Sequence, residues 1–282
     1  MTVCIAAICE SLHKVVTVSD EMVTLGSISV DGTAEKKAPV HPNWFALYAA
    51  DDITDVRPIL DGAMLLLCSK PGDRFMVEAG DALSKSFAKR HQDIIKYRVL
   101  VPCGFEDLDD FYSKGKKILS ISEINQIKRQ IAAAKPACEF LLSGFDPMGI
   151  GHLLLQEANS PFQCYDDPGF WAIGSGQHEA LAALFFQADK LGFSAVNSEA
   201  ECVYHLLSAK FMAESNKFVG RRTFVTVHGF NTRPRHLTDS DIEAIRVAWE
   251  HSAIPKLPVE MIRQIPHMLE RNKFRSRKNR GS

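Results

Sequence analysis

Met1 is followed by Thr2, and Thr2 by the apolar, β-branched run VCIAAIC. A threonine hydroxyl is a poor nucleophile unless a base takes its proton. Thr2 is small, so removal of Met1 is expected, and it would put an α-amine on the same residue as that hydroxyl. An α-amine has a reference pKa of about 7.7–8.0, close enough to neutral for it to serve as the base. Read alone, Thr2 is equally an ordinary residue at the start of a strand. Ser175 is the other small hydroxyl in a marked setting, between Gly174 and Gly176 and ahead of QHEALAALFFQADKLG. Serine before an apolar-periodic run is a good helix N-cap, and that is the first role expected of it.

Other chemistries find little purchase. TFVTVHGFN has the look of an oxyanion loop, but the serine hydrolases that use one need a Gly-x-Ser-x-Gly elbow, and the chain has none. In GIGHLL a dinucleotide loop would need a third glycine where Leu154 stands. No His-Glu-x-x-His occurs, and the 10 histidines form no pair four residues apart. The 7 cysteines include no Cys-x-x-Cys, and most lie in apolar stretches as free buried thiols do. No metal and no cofactor is therefore expected, and a reducing compartment is.

The elements that must position Thr2 follow from periodicity. Thr2–Cys9 and Lys14–Ser19 form a hairpin around ESLH, a looser segment runs through Gly26 and Gly32, and 43–49 is a buried strand. Ile53, Val56, Ile59, Leu60, Met64 and Leu67 recur at helical spacing; KPGD ends that helix, and a second runs from about Phe75 to Tyr97. Residues 100–136 are polar, with short helices at 107–114 and 121–134. Strands return at 138–144, HLLLQE, FQCY and 170–174, followed by the helix after Gly176, a helix over 198–215, a strand over 221–229 and a helix over 238–252. A Pro-broken helix and a basic tail end the chain. Blocks of strands and blocks of helices, without alternation, indicate an α+β fold: two sheets packed together with a helical pair outside each.

Net charge is −1, but six basic residues and no acid fall in the tail from Arg271, leaving 27 basic against 34 acidic residues elsewhere. A nucleic-acid binder carries its positive charge on the folded body, so no specific nucleic acid is expected. The longest apolar stretch, AMLLLC, is too short to span a bilayer. No membrane partner and a cytoplasmic location are expected, since no basic segment precedes the first apolar run.

This order of elements, together with SDEMVTLGSISVDGTAEKK, LLSGFDPMGIGHLL and FWAIGSGQHEA, resembles the proteasome β-subunit family. That family includes the bacterial heat-shock-locus peptidase and belongs to the N-terminal nucleophile hydrolases. The resemblance covers roughly residues 2–228. In the family a second strand ends in Asp, an active-site Lys follows sixteen residues on, and Ala-Gly follows thirteen and fourteen residues after the Lys. Those positions here are Asp20, Lys36, Ala49 and Ala50, and the strand-Gly-Ser-Gly-helix motif places Ser175 beside the catalytic centre. The resemblance implies a four-layer α-β-β-α sandwich over 1–229, with a helical insertion at about 100–136, and a C-terminal helical extension over 230–282.

It also implies roles. Thr2 is the nucleophile, Lys36 lowers the pKa of its amine by like-charge repulsion, and Asp20 holds Lys36. The Ala50 N–H, with the Ser175 N–H or hydroxyl, faces the developing oxyanion. Departures from the pattern are a longer turn between Thr2 and Asp20, Ala50 in place of Gly, and Asn216 and Val219 where the family carries Asp and Ser. Asn216 can accept from the amine but lacks the carboxylate's charge. The expected activity is that of an N-terminal threonine peptidase acting on polypeptide within a homo-oligomeric ring. The alternatives are a catalytically silent ring subunit and a non-peptide amidohydrolase on the same fold.

Overall fold

The computed structural model describes residues 2–25, 28–30, 35–69, 71–158 and 160–252. Met1, the Pro-broken helix and the basic tail lie outside the described residues. In chain order the first strands are β1 (Cys4–Cys9), β2 (Lys14–Asp20), β3 (Val23–Leu25), β4 (Ile28–Val30), β5 (Lys37–His41) and β6 (Trp44–Ala50). Helices α1 (Val56–Cys68), α2 (Met76–Ile94), α3 (Leu108–Ile118) and α4 (Ile121–Ala133) follow. Then come β7 (Cys138–Phe145), β8 (Gly151–Gln156), β9 (Gln163–Cys164) and β10 (Phe170–Ile173). The chain continues through α5 (Gln177–Leu191), α6 (Glu199–Ala213), β11 (Thr223–Gly229), β12 (Arg235–His236) and α7 (Asp239–Ser252).

Two antiparallel five-stranded sheets result, ordered β10-β1-β2-β11-β12 and β5-β6-β7-β8-β9, with β3 and β4 as a separate ribbon. The sheets pack face to face, with α5 and α6 on the outer face of the first and α1 and α2 on that of the second. Period-two alternation explains the division. Cys4, Ala6 and Ile8 of β1 meet Leu47, Leu141, Leu153 and Leu155 of the other sheet, which leaves Ile5 and Ala7 for the face toward α6. Along β6 and β7, the alternate residues Trp44, Ala46, Phe140 and Leu142 pack beneath Ile59, Leu83 and Phe87 of the helices. A strand buried on both faces must be apolar throughout, and every residue of β1 is buried.

Three details go beyond the sequence reading. The loose segment after Asp20 forms the β3–β4 ribbon and then the edge strand β5, where Pro39 is tolerated beside a bulge. The second helix does not stop at Tyr97; a π-helical turn carries it through 95–100, and Ile95, Val99 and Leu100 join Phe105, Phe111 and Ile127 in a small core of their own. The long β1–β2 turn holds Glu10, Ser11 and Leu12 all at positive φ, 51°, 56° and 77°. That conformation is unfavourable for non-glycine residues and persists only when neighbours hold it. Here Glu10 N–H donates to Asn197 O at 2.9 Å, Ser11 N–H to Ala195 O at 3.0 Å, and Leu12 O accepts from Gly151 N–H at 2.7 Å.

One compact unit runs from the N-terminus to Ile242, so residues 230–242, with β12 paired on β11, belong to it; a second begins at Glu243 with the continuation of α7. No helix among the described residues is long and apolar enough to cross a membrane.

Candidate active site

Thr2 sits just ahead of β1, and the β1–β2 ladder brings the end of β2 to it. Cys4 pairs with Ser19, so Asp20 lies opposite Val3: Asp20 N–H donates to Val3 O at 3.1 Å, and Val3 N–H donates to Asp20 Oδ1 at 2.9 Å. Lys36 precedes β5, anchored by Tyr48 N–H donating to its carbonyl at 3.1 Å. Its ammonium donates to Thr2 Oγ1 and, at 2.9 Å, to Asp20 Oδ1. The Thr2 hydroxyl in turn donates to Asp20 Oδ1. All three side chains are buried, with Thr2 2%, Asp20 0% and Lys36 6% exposed. A buried charge pair persists only when its remaining lone pairs are satisfied. Asp20 Oδ2 meets that condition by accepting from Met22 N–H at 3.3 Å and from Gly220 N–H at 3.1 Å.

Ser175 arrives from β10. Cys4 pairs with Ile173, which carries Gly174-Ser175-Gly176 alongside Thr2. Thr2 N–H donates to Ser175 Oγ at 2.9 Å; Thr2 O accepts from the Ser175 hydroxyl at 3.2 Å and from Gly176 N–H at 3.1 Å. Ser175 therefore does not cap α5, contrary to expectation: the N-cap is Gly176, without a side-chain hydrogen bond. The serine oxygen is committed to Thr2.

Gly174 holds φ at +94°, and a Cβ there would overlap the Thr2 carbonyl. Gly174→Ala combines a strained backbone with a clash against main chain, and is expected to cost about 2–4 kcal/mol in urea unfolding. A loss within about 0.5 kcal/mol would refute this close approach.

Ala50 ends β6 and lines the cavity above Thr2. Asp51 N–H bonds Ala137 O of the neighbouring segment at 2.9 Å, while Tyr48 N–H bonds Lys36 O. Alternation along the strand turns the Ala50 N–H the same way as that of Tyr48, toward the Lys36 side. Asn216 behaves otherwise than anticipated. Its Oδ1 accepts from Phe218 N–H at 3.1 Å, and its amide donates to Ser175 O at 2.8 Å and to Glu179 Oε1 at 3.4 Å. It braces the Ser175 backbone and offers its oxygen to Phe218 instead of to the Thr2 nitrogen. Val219 lies against Gly176, where an added Cβ would overlap it.

The cavity over Thr2 has a volume of about 750 Å³, and its walls include Ala49, Cys138, Glu139, Glu157 and Phe218. Glu139 was not anticipated. Its Oε1 accepts Gly174 N–H at 2.7 Å, so it stands one residue from the Thr2 contact. The signal in the sequence is a charged residue inside the otherwise apolar strand CEFLLSG. Burial lifts the Glu139 carboxyl above the ordinary range, the Gly174 hydrogen bond opposes this, and the charges of Glu157 and Asp51 add to the rise.

Two cysteines are close by, but burial pushes the thiols of Cys4 and Cys138 each up to about 12. Both are protonated at neutral pH and poor nucleophiles. Among the described residues no group of three His, Cys, Asp or Glu side chains is arranged to hold a metal ion. No family model matches this chain, and no curated protein is significantly similar to it.

Proposed function

We propose that the chain is an N-terminal threonine hydrolase of the nucleophile type that the proteasome β-subunits represent, cleaving amide bonds of polypeptide substrates. The observation that carries this reading is the meeting of Thr2, Asp20, Lys36 and Ser175 from four separate segments: Thr2 and Ser175 line one cavity, and Asp20 and Lys36 are hydrogen-bonded to Thr2. Removal of Met1 frees the Thr2 nitrogen as an amine beside the Ser175 hydroxyl. That amine accepts the proton of Thr2 Oγ1 as the oxygen attacks the substrate carbonyl. The Lys36 ammonium, fixed by Asp20, stabilises the negative charge that gathers on the attacking oxygen and disfavours protonation of the amine. The Ala50 N–H is turned toward the side where the carbonyl oxygen becomes an oxyanion, an interaction typically worth about 3–4 kcal/mol. The leaving amine takes the proton, and water then hydrolyses the Thr2 ester. As the resemblance implies, copies of the chain assemble in a ring.

A second reading, a ring subunit without catalysis, is favoured by one observation: the Asn216 oxygen is occupied by Phe218 N–H and Val219 brings no hydroxyl. Intact mass before and after treatment with a peptide epoxyketone separates the two. The hydrolase reading expects loss of Met1 and one adduct, absent in Thr2→Ala. Retained Met1 with no adduct would leave the silent subunit.

A further inference from the structure

We propose that Glu139, together with Glu157, sets the specificity of this cavity for substrates that present a cationic side chain, an amine or a guanidinium, next to the bond attacked. The inference rests on the threonine-hydrolase reading and names its substrate class. Among the described residues the cavity's charged lining is Asp51, Glu139 and Glu157 against Lys135 alone, and Lys36, bonded to Thr2, is already paired to Asp20. About 750 Å³ is ample for a long side chain; ligand cavities typically measure about 300–1,000 Å³.

Several half-buried or buried carboxylates elsewhere in the fold have a basic partner. Asp55 is paired with Arg90 and Arg98, Glu199 with Lys14 and Arg235, and Asp166 with His152. Among the described residues Asp51, Glu139 and Glu157 form no ion pair, although Glu139 and Glu157 are partly buried. Their placement follows from the ladder. Ala49 pairs with Glu139 across β6–β7, and Phe140 pairs with Gln156 across β7–β8, which sets Glu139 and Glu157 side by side on one wall. Like charges held together at the edge of low-dielectric protein repel each other, and a bound cation relieves that repulsion. Glu139 is also fixed by Gly174 N–H, so its charge holds a constant position relative to Thr2. An acidic side chain entering the cavity would add a further negative charge to this wall. Lys135 is exposed and does not offset the inner pair.

The test uses three peptide epoxyketones that differ only in the residue beside the electrophile: arginine, leucine or glutamate. The rate of the Thr2 adduct is read by intact mass. The arginine probe is expected to react at least about 10-fold faster than the leucine probe at low salt, with the glutamate probe slowest. In Glu139→Gln/Glu157→Gln the arginine-to-leucine ratio falls to within about threefold of unity; glutamine keeps an acceptor for Gly174 N–H, and circular dichroism checks the fold. An arginine probe no faster than leucine in the unsubstituted protein overturns the inference and leaves the hydrolase reading standing.

If no probe modifies Thr2, the hydrolase reading fails and cation selectivity is read separately. Argininamide binding to Thr2→Ala, followed by NMR shift changes, then upholds the cationic site if it weakens at least threefold in the Glu139→Gln/Glu157→Gln background. It overturns the site if binding is absent or unchanged.

Discussion

Asp20→Ala is expected to lower the unfolding free energy by about 3–5 kcal/mol, the range found when one partner of a buried ion pair is removed. The carboxylate is fully buried and accepts from Val3, Met22 and Gly220 N–H groups, from the Thr2 hydroxyl and from the Lys36 ammonium. Alanine leaves three buried N–H donors and an ammonium without their acceptor, and each unsatisfied group carries a desolvation cost. Asp20→Asn keeps the shape and one acceptor oxygen, so it falls between alanine and the unsubstituted protein. Urea titration at neutral pH measures both. A loss under about 1 kcal/mol for Asp20→Ala would mean that the network does not hold the β2 end to Thr2.

Lys36→Met has the opposite balance. It removes the ammonium from the Thr2 hydroxyl while leaving Asp20 with its three backbone donors and the Thr2 hydroxyl. The stability loss is therefore expected to be smaller than for Asp20→Ala. The rate of epoxyketone addition at Thr2 is expected to fall by roughly 10²–10⁴, the span of a positioned proton-transfer or charge-stabilising group. Lys36→Arg does not restore it, because a planar guanidinium cannot replace a compact ammonium between two oxygens. Stopped-time labelling followed by intact mass gives the rates. A Lys36→Met protein labelled as fast as the parent would remove Lys36 from the chemistry.

These two positions also show how far the linear chain carries its own reading. The sixteen-residue interval between Asp20 and Lys36 was legible through the resemblance, and the tertiary structure puts their charged atoms 2.9 Å apart. Ser175 was legible as a residue of interest and misread in detail. A cap rule describes what a serine does for its own helix, whereas this one faces Thr2, 173 positions earlier in the chain. Asn216 shows the same limit: which of its two amide atoms faces Ser175 depends on Phe218 N–H taking the other.

By itself the sequence determined the two buried strands at the start, the helical pairs, the blocked order that makes the fold α+β, and the small hydroxyl at the lip of β1. Those follow from periodicity and composition, which are local properties of a chain. Only the tertiary structure decided which carboxylates stay paired and which are left facing a cavity. Glu139, Glu157 and Asp51 lie on three different segments, and nothing periodic relates them to Thr2. Strand register joins them into one wall, and register is set by burial across two whole sheets.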